Sequence, residues 1–498
     1  MSEETRPTEH QAISVPEPSG KPQGGCLTSI LCWVVILGIV AFLFSNVLYS
    51  QLYLPTEPKE ISAAELMEVN LTGQVVVGQS QIDSSMETKS NSQVEPLNSG
   101  PVEQRYCYAI LVNELDSAEL ALEKLKAIDQ AVKAANYELS EDQTRLREII
   151  GRLLESYDAG ELDSSIIPNE DRDFLSSKLG WCGELILVPK GTPHERMRRE
   201  ILDGATRLLF ILVGVVLLGL GMLLTGVVSL AVFFFLAVTG NLVSKMHGEA
   251  QRGSIYLQTF ALWMVLFVVL QLLSGMAAEW ITDPVIGQLL MPVAFFLSLV
   301  VLAWPVIRGI SFAEVREDIG LKLGNPFKEV VVGMLAYTAL LPFLLCAAVI
   351  SVILAALLTM MQSANQPTNE FAGGTQGGHP IQEEIASGDI TTWLIVFVTA
   401  CIAAPIIEET MFRGVFYRHL RDATDRWRRI PSIAFAALVN SLIFAAIHPQ
   451  GIVGIPLLTT LAVGFSLTRQ WRSSLIAPMV MHAMNNGLVT CILFTMLL

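Results

Sequence analysis

Charged side chains are scarce in this chain, which argues against a soluble protein. Asp, Glu, Lys and Arg make up 16% of the 498 residues, and hydrophobic residues make up 52%. Soluble domains carry roughly 25% charged residues. The net charge is −15, and the first 200 residues hold 17 basic and 31 acidic side chains. Because this acidic part has no basic patch, nucleic-acid binding is excluded from the expected functions.

Cysteine is too sparse and too scattered for a metal or disulfide framework. There are seven cysteines and no CxxC motif. Five of them lie in or beside apolar runs, where a thiol is a small core residue. Cys107 and Cys182 lie in the polar part, and they could pair only if that part faced an oxidising compartment.

Long apolar runs are abundant and predict an all-α polytopic membrane protein. A run of about 18 apolar residues is long enough to cross ~30 Å of hydrocarbon as a helix. One such run is the expected anchor at 27–54, and nine more follow residue 207. Two of the nine meet at Thr225 and Gly226, where a tight hairpin is expected because one continuous helix would overshoot the bilayer. The sequence therefore predicts ten spans, or nine without the hairpin.

The alternation of polar and apolar stretches predicts six regions. They are a disordered tail (1–26), a transmembrane anchor (27–54), a linker (55–103), a small soluble α+β domain (104–207), further transmembrane helices (208–308) and an intramembrane core (309–498). The linker is predicted from its Ser, Gln, Glu and Asn content. The α+β domain is predicted from strand-like runs at 106–112 and 184–188 beside helical periodicity. It contains no catalytic constellation, so an adaptor or structural role is expected for it.

Lysine and arginine in short loops indicate which loops face the cytoplasm. Six arginines between 413 and 429 predict a cytoplasmic connection, whereas the stretch 362–389 has no Lys or Arg and is expected outside. With the hairpin, the acidic domain falls in the cytoplasm and the N-terminus outside. A single long span in place of the hairpin reverses both.

Ionisable residues within apolar helices are costly, so they mark candidate functional sites. Three such clusters occur in the C-terminal core: Glu408 with Glu409 and Arg413, then His448, then His482 with Asn486. Glu409 and Arg413 are four residues apart and can pair, which leaves Glu408 as the free carboxylate. The four-residue spacing of the third cluster places an imidazole and an amide on one face, as an oxyanion site requires. Counted at ~1.5 Å per residue, the clusters lie within about two helical turns of one level and can converge.

The motifs that carry these residues resemble those of the CPBP family of intramembrane proteases, which includes CAAX prenyl proteases and bacteriocin-processing enzymes. In chain order they are Glu408-Glu409-x-x-x-Arg413, Phe444-x-x-x-His448 and His482-x-x-x-Asn486. The resemblance covers roughly 309–498. It implies that Glu408 and His448 activate a water to hydrolyse a peptide bond. It further implies that His482 and Asn486 stabilise the oxyanion, and it gives Glu409, Arg413 and Phe444 supporting roles.

The family is often classed with metalloproteases, but this chain has no HExxH motif and no cysteine ligand in the three motifs. No cofactor is therefore expected, and the alternative is a zinc ion on Glu408, His448 and His482.

The expected function is an intramembrane endopeptidase acting on membrane-associated peptides or proteins. Its expected partners are the lipid bilayer and a protein or peptide substrate, and its expected location is a bacterial cytoplasmic membrane with the cavity open to the cytoplasm. The alternative is a non-catalytic membrane scaffold or tolerance protein that retains the same buried polar cluster. A transporter with a proton relay is disfavoured, because no internal repeat is visible.

Overall fold

A computed structural model describes residues 25–52, 60–82, 92–246, 252–322, 324–365, 371 and 380–495, and residues 1–24 of the expected disordered tail lie outside it. Throughout the described ranges the regular structure is helical and no strand occurs. The longer helices are α1 (Cys26–Leu52), α2 (Ala63–Ile82), α3 (Val102–Leu115), α4 (Ala118–Ala134), α5 (Glu141–Asp158), α6 (Asn169–Leu179), α7 (Trp181–Ile186), α8 (Glu195–Val238), α9 (Ile255–Ala278), α10 (Pro284–Ile307), α11 (Phe312–Ile319), α12 (Pro326–Asn365), α13 (Pro380–Ser387), α14 (Ile390–Ala423), α15 (Arg429–Ala446), α16 (Gly451–Arg472) and α17 (Ile476–Thr495).

The predicted α+β domain is wrong, because its strand-like runs are helical. Residues 106–112 lie inside α3, and most of 184–188 lies in or directly after α7. The run from Tyr106 to Val112 is almost completely buried on every side. A short apolar run of this kind has no periodicity that separates a buried strand from a buried helix. The extramembrane domain is therefore a bundle of α2 to α7 around one apolar core.

The linker prediction for 55–103 is also wrong over the length of α2. Val69, Val76 and Val77 of this helix are buried in the core of the extramembrane domain. Gly73 lies on the same face, and a Cβ there would be 3.0 Å from a methyl group of Leu111. Apolar positions at 69, 73, 76 and 77 have helical spacing, and the polar residues between them cover the exposed face. The average composition of 55–103 does not show this amphipathic pattern.

Nine helices in the described part of the chain are long and apolar enough to cross a membrane. The count is nine and not ten, because α8 is continuous through Thr225 and Gly226, where the hairpin was predicted. Gly226 marks a close helix crossing instead of a turn. A Cβ at this position would collide with the carbonyl oxygen of Thr338 in α12. The chain is thus a helical polytopic membrane protein in which α8 extends beyond the apolar layer into the domain.

The acidic domain lies at the opposite end of the bundle from the arginine-rich connection 424–428. The domain follows the first candidate span and the connection follows the sixth, so an odd number of spans separates them. The segment after the fifth span contacts the domain. Phe371 stacks on Tyr137 with ring centroids 5.2 Å apart, and Glu383 accepts hydrogen bonds from backbone N–H groups at the start of α2. Span count and contacts therefore assign the domain and the 362–389 stretch to the same face.

Candidate active site

The helix α14 carries the first polar cluster, and its winding changes around that cluster. It is π-helical at Thr399–Ala403, α-helical at Ala404–Glu408 and π-helical again at Glu409–Phe416. Pro405 has no N–H with which to continue the hydrogen-bond ladder, and the first wide turn directly precedes it. Wide turns of this type occur frequently at functional sites. Both glutamates thus lie at a local irregularity of an otherwise regular span.

Glu409 and Arg413 form an ion pair with no solvent exposure. Arg413 Nη1 donates to Glu409 Oε1 at 2.9 Å, and both side chains are 0% exposed. The guanidinium lies between two aromatic rings, 4.5 Å from the centroid of Phe444 and 5.2 Å from that of Phe465. Its Nη2 donates to the carbonyl of Ala462 at 3.3 Å. Arg413 therefore fastens α14 to α15 and α16 through charge, stacking and a backbone contact.

Glu408 lies on another side of the helix, where two imidazoles meet its carboxylate. Its Oε2 is 3.8 Å from Nε2 of His448 and 3.9 Å from Nε2 of His482. These separations are too long for direct hydrogen bonds. Among the described residues no hydrogen-bond partner reaches this oxygen, although the atom itself is buried. A buried carboxylate oxygen is normally satisfied, so Glu408 is available to a small polar molecule placed between the three groups.

The backbone of α15 orients His448. Its Nδ1 is 2.5 Å from the carbonyl oxygen of Phe444, so Nδ1–H donates there and Nε2 is directed toward Glu408. The Phe444 ring also packs on the imidazole, with centroids 4.3 Å apart. The side chain of His448 remains 20% exposed, more than any other titratable group of the site. It is the group best placed to exchange protons with incoming water.

His482 and Asn486 hold α17 against α14. His482 Nδ1 contacts Glu409 Oε1 at 3.0 Å, so the same carboxylate oxygen serves Arg413 and this imidazole. Asn486 Nδ2 donates to the carbonyl of Ala400 at 2.8 Å. Since an amide nitrogen carries two protons, one N–H of Asn486 remains for a ligand. The ring of Phe465 stacks on His482 at 5.3 Å.

Of the seven residues that the sequence singled out, the structure brings six into one set of contacts: Glu408, Glu409, Arg413, Phe444, His448 and His482. The seventh, Asn486, lies one helical turn beyond His482, where it contacts Ala400. Sequence reasoning missed Phe465 and Ala462 of α16, which support Arg413 and His482. An apolar residue in an apolar helix gives no signal, so only its contacts reveal this role. The chemical roles of the seven residues stay predictions.

Glu408, His448 and His482 are the three groups that could hold a zinc ion. Tetrahedral zinc with ligands at 2.0–2.1 Å places ligand atoms about 3.3 Å apart. The two separations from Glu408 Oε2 are 3.8 and 3.9 Å. Over the ranges that the structure describes, no set of three potential metal ligands is gathered closely enough to hold an ion. In this structure both separations are longer than that spacing.

One family and one known protein are similar to part of this chain. Residues 390–488 match the family described as type II CAAX prenyl endopeptidase Rce1-like. The chain is similar to the membrane-embedded CAAX protease MroQ of Staphylococcus aureus (strain USA300), with 37% identity over 95 residues. That match covers 19% of this chain and 37% of the relative. No solved structure matches.

The fold and site define a polytopic membrane protein with a buried glutamate and histidine centre. Its residues 390–488 are similar to a family of CAAX prenyl endopeptidases. The anchor and the extramembrane domain lie outside the matched residues.

Proposed function

We propose that this protein is an intramembrane endopeptidase that hydrolyses peptide bonds of membrane-associated peptides or proteins. One observation carries the proposal: the Nε2 atoms of His448 and His482 both lie within 4 Å of the same unpartnered oxygen of Glu408. A structural ion pair would contain a direct hydrogen bond, as Arg413 Nη1 and Glu409 Oε1 form at 2.9 Å, although Glu409 Oε2 and Arg413 Nε also have no partner among the described residues. An open arrangement of a carboxylate and two imidazoles supports water activation.

The proposed reaction needs no group from outside the chain except water. Glu408 takes a proton from the water while the water oxygen adds to the carbonyl carbon of the substrate. His482, with both ring nitrogens protonated, and the remaining N–H of Asn486 donate to the oxyanion that forms. The proton then passes to the leaving amine, with His448 as the exposed relay, and the C–N bond breaks. Glu409 and Arg413 touch none of the reacting atoms in this scheme and hold the helices in place.

The Glu408 carboxylate is the first group to test. Glu408→Gln keeps the size of the side chain and removes the base, so hydrolysis should fall about 10²–10⁴-fold. The assay is a survey of membrane-protein cleavage products, followed by a rate measurement on one cleaved substrate. The matched control is Glu103→Gln, which changes a buried carboxylate of the extramembrane domain and should leave the rate unchanged.

Two results would redirect the proposal. Full hydrolysis by Glu408→Gln would remove the base from the scheme, and the absence of any Glu408-dependent product would favour the scaffold alternative. Metal-free chemistry is tested on the same samples. About one tightly held zinc per chain, lost together with activity in His448→Ala, would replace a glutamate-activated water by a metal-activated one.

The location in a bacterial cytoplasmic membrane is part of the proposal. A cytoplasmic opening of the site is not, because the turn that carries His448, the most exposed group of the site, follows the seventh span and lies on the face of the domain. The positive-inside bias places the connection 424–428 in the cytoplasm and, with nine spans, the acidic domain outside. In a chain without other reactive thiols, Asp425→Cys should react with an impermeant maleimide only after the cells are opened. Glu161→Cys in the domain should react in intact cells. Labelling in the reverse order would invert the topology and move the arginine-rich end of the site to the outside.

A further inference from the structure

The turn that carries His448 has weak support from its own backbone. It joins α15 to α16, and Gly451 begins α16 with φ +60°. Its two internal backbone bonds are long: His448 N–H reaches the Ala445 carbonyl at 3.3 Å, and Gly451 N–H reaches the His448 carbonyl at 3.4 Å. A catalytic group must be held to within a fraction of an ångström. The position of this turn therefore depends on contacts from outside it.

Such contacts come from Gln51 in the last turn of α1, 399 positions earlier in the sequence than the residue it binds. Gln51 Nε2 donates to the carbonyl of Gln450 at 2.9 Å. Its Oε1 accepts from the N–H of Ile452 at 3.1 Å. One buried amide, 6% exposed, thus bridges the turn on both sides of Gly451.

Gly451 provides the space for this bridge. Any other residue at this position would place its Cβ against the amide of Gln51 and displace that amide from the turn. The positive φ also favours glycine. The backbone and the amide of Gln51 are therefore matched in shape as well as in hydrogen bonding.

The rest of α1 packs mainly on α9, and it also contacts the catalytic helix α14. Ile36 is completely buried in the membrane core, and Trp33 meets Phe416 edge-on with centroids 5.7 Å apart. Phe416 ends the wide turn that begins at Glu409. Most of α1 is otherwise exposed to the surrounding lipid. A helix with only a tethering role would need neither contact.

We propose that Gln51 is a positioning residue for His448, and that α1 is a working part of the proteolytic unit instead of a membrane tether. The inference rests on the proposed function for its catalytic readout. Loss of the bridge lets the turn move, which displaces Nε2 of His448 from Glu408 and slows the chemical step. Substrate binding is left largely intact.

The test compares Gln51→Met with wild type in the full-length protein. Methionine keeps the length and packing of glutamine but cannot hydrogen-bond to the turn, so kcat should fall about tenfold to a hundredfold. KM should change less than about threefold, and the thermal midpoint should change little. Amide hydrogen exchange in the peptide that contains Ile452 should become faster. Ser50→Ala, an exposed neighbour on α1, is the control and should match wild type in both measurements.

Measurements of kcat and of amide exchange distinguish the positioning role of Gln51 from the proposed protease function. Wild-type kcat in Gln51→Met, or unchanged exchange at Ile452, would overturn the positioning role even if Glu408-dependent hydrolysis is present. If wild type shows no such hydrolysis, the proposed function fails. Faster exchange in Gln51→Met would then show a structural bridge only, and the positioning role would fail with the function.

Discussion

Glu103 and Glu408 are among the described carboxylates that have a buried oxygen without a hydrogen-bond partner, and their surroundings differ. Glu103 lies in the extramembrane domain and Glu408 in the membrane core, and Oε2 is the unsatisfied atom in both. Oε1 of Glu103 accepts from the amide of Gln143 at 2.9 Å, and no imidazole is among its hydrogen-bond or ion-pair partners in the described residues. Glu408 instead faces two imidazoles at about equal distance.

The difference shows why burial alone does not identify a reactive group. Burial disfavours the charged form of any carboxylate. Catalysis needs in addition a second group that accepts or supplies the proton and a third that stabilises the developing charge. Glu408 has candidates for both, whereas the donors to Glu103 are side-chain and backbone amide groups. Substitutions of the neighbours of Glu408, of the ion pair beside it and of Glu103 itself test this difference.

The largest effect is expected at the oxyanion donors. Asn486→Asp keeps the shape of the side chain and removes both N–H donors, and His482→Ala removes the imidazole. Each should lower kcat about 10²–10³-fold with a small change in KM, because an oxyanion donor acts mainly in the transition state. Steady-state rates on one cleaved substrate measure this.

Asn486 and His482 also hold helices together, so the folded yield and thermal midpoint of each variant must be recorded. The catalytic role predicts that the rate per folded molecule falls. A loss of folded protein with an unchanged rate per folded molecule would assign both residues to structure, as for Glu103.

The polar motifs could be found in the sequence because each ionisable residue interrupts an apolar run at high cost. Spacing of four residues was enough to predict the contact between Glu409 and Arg413, which the structure contains. The support from Gln51 could not be found, since its partners are backbone groups far along the chain. The α+β prediction for the extramembrane domain is wrong because its most buried segment, in α3, is apolar on all faces. Such a segment carries no periodicity that would identify a helix.

A smaller effect is expected at the buried pair Glu409 and Arg413. Glu409→Gln or Arg413→Gln leaves one charge without its partner in a fully buried site, so each should cost about 3–5 kcal/mol of stability. The double variant should lose less than the sum, because no unpaired charge remains. Thermal unfolding of the four proteins in one detergent completes the cycle.

The domain supplies a reference pair for this cycle. Arg198 donates to both oxygens of Glu114 at 2.6 and 2.9 Å, and these side chains are also largely buried. A double-mutant cycle on Glu114 and Arg198 should show a coupling free energy of the same sign. It should not change the rate of hydrolysis per folded molecule. Strictly additive losses at Glu409 and Arg413 would contradict the pairing that the structure shows.

The smallest effect is expected at Glu103. Burial is the largest influence on this carboxyl group and raises its pKa above the usual glutamate value, with Gln143 acting in the opposite direction. A raised pKa in the folded state means that the associated stability is complete below the unfolded pKa and is lost as the pH rises through the folded pKa.

Glu103→Gln should therefore match wild type at low pH and become more stable than wild type at neutral pH. Thermal midpoints of the full-length protein between about pH 4.5 and 7.5 would show a flatter curve for the variant. Glu123→Gln, on the exposed face of α4, should run parallel to wild type. If the thermal midpoint of Glu103→Gln also followed wild type at every pH, the unpartnered oxygen of Glu103 would be solvated in the folded protein. Glu103 would then not be comparable with Glu408.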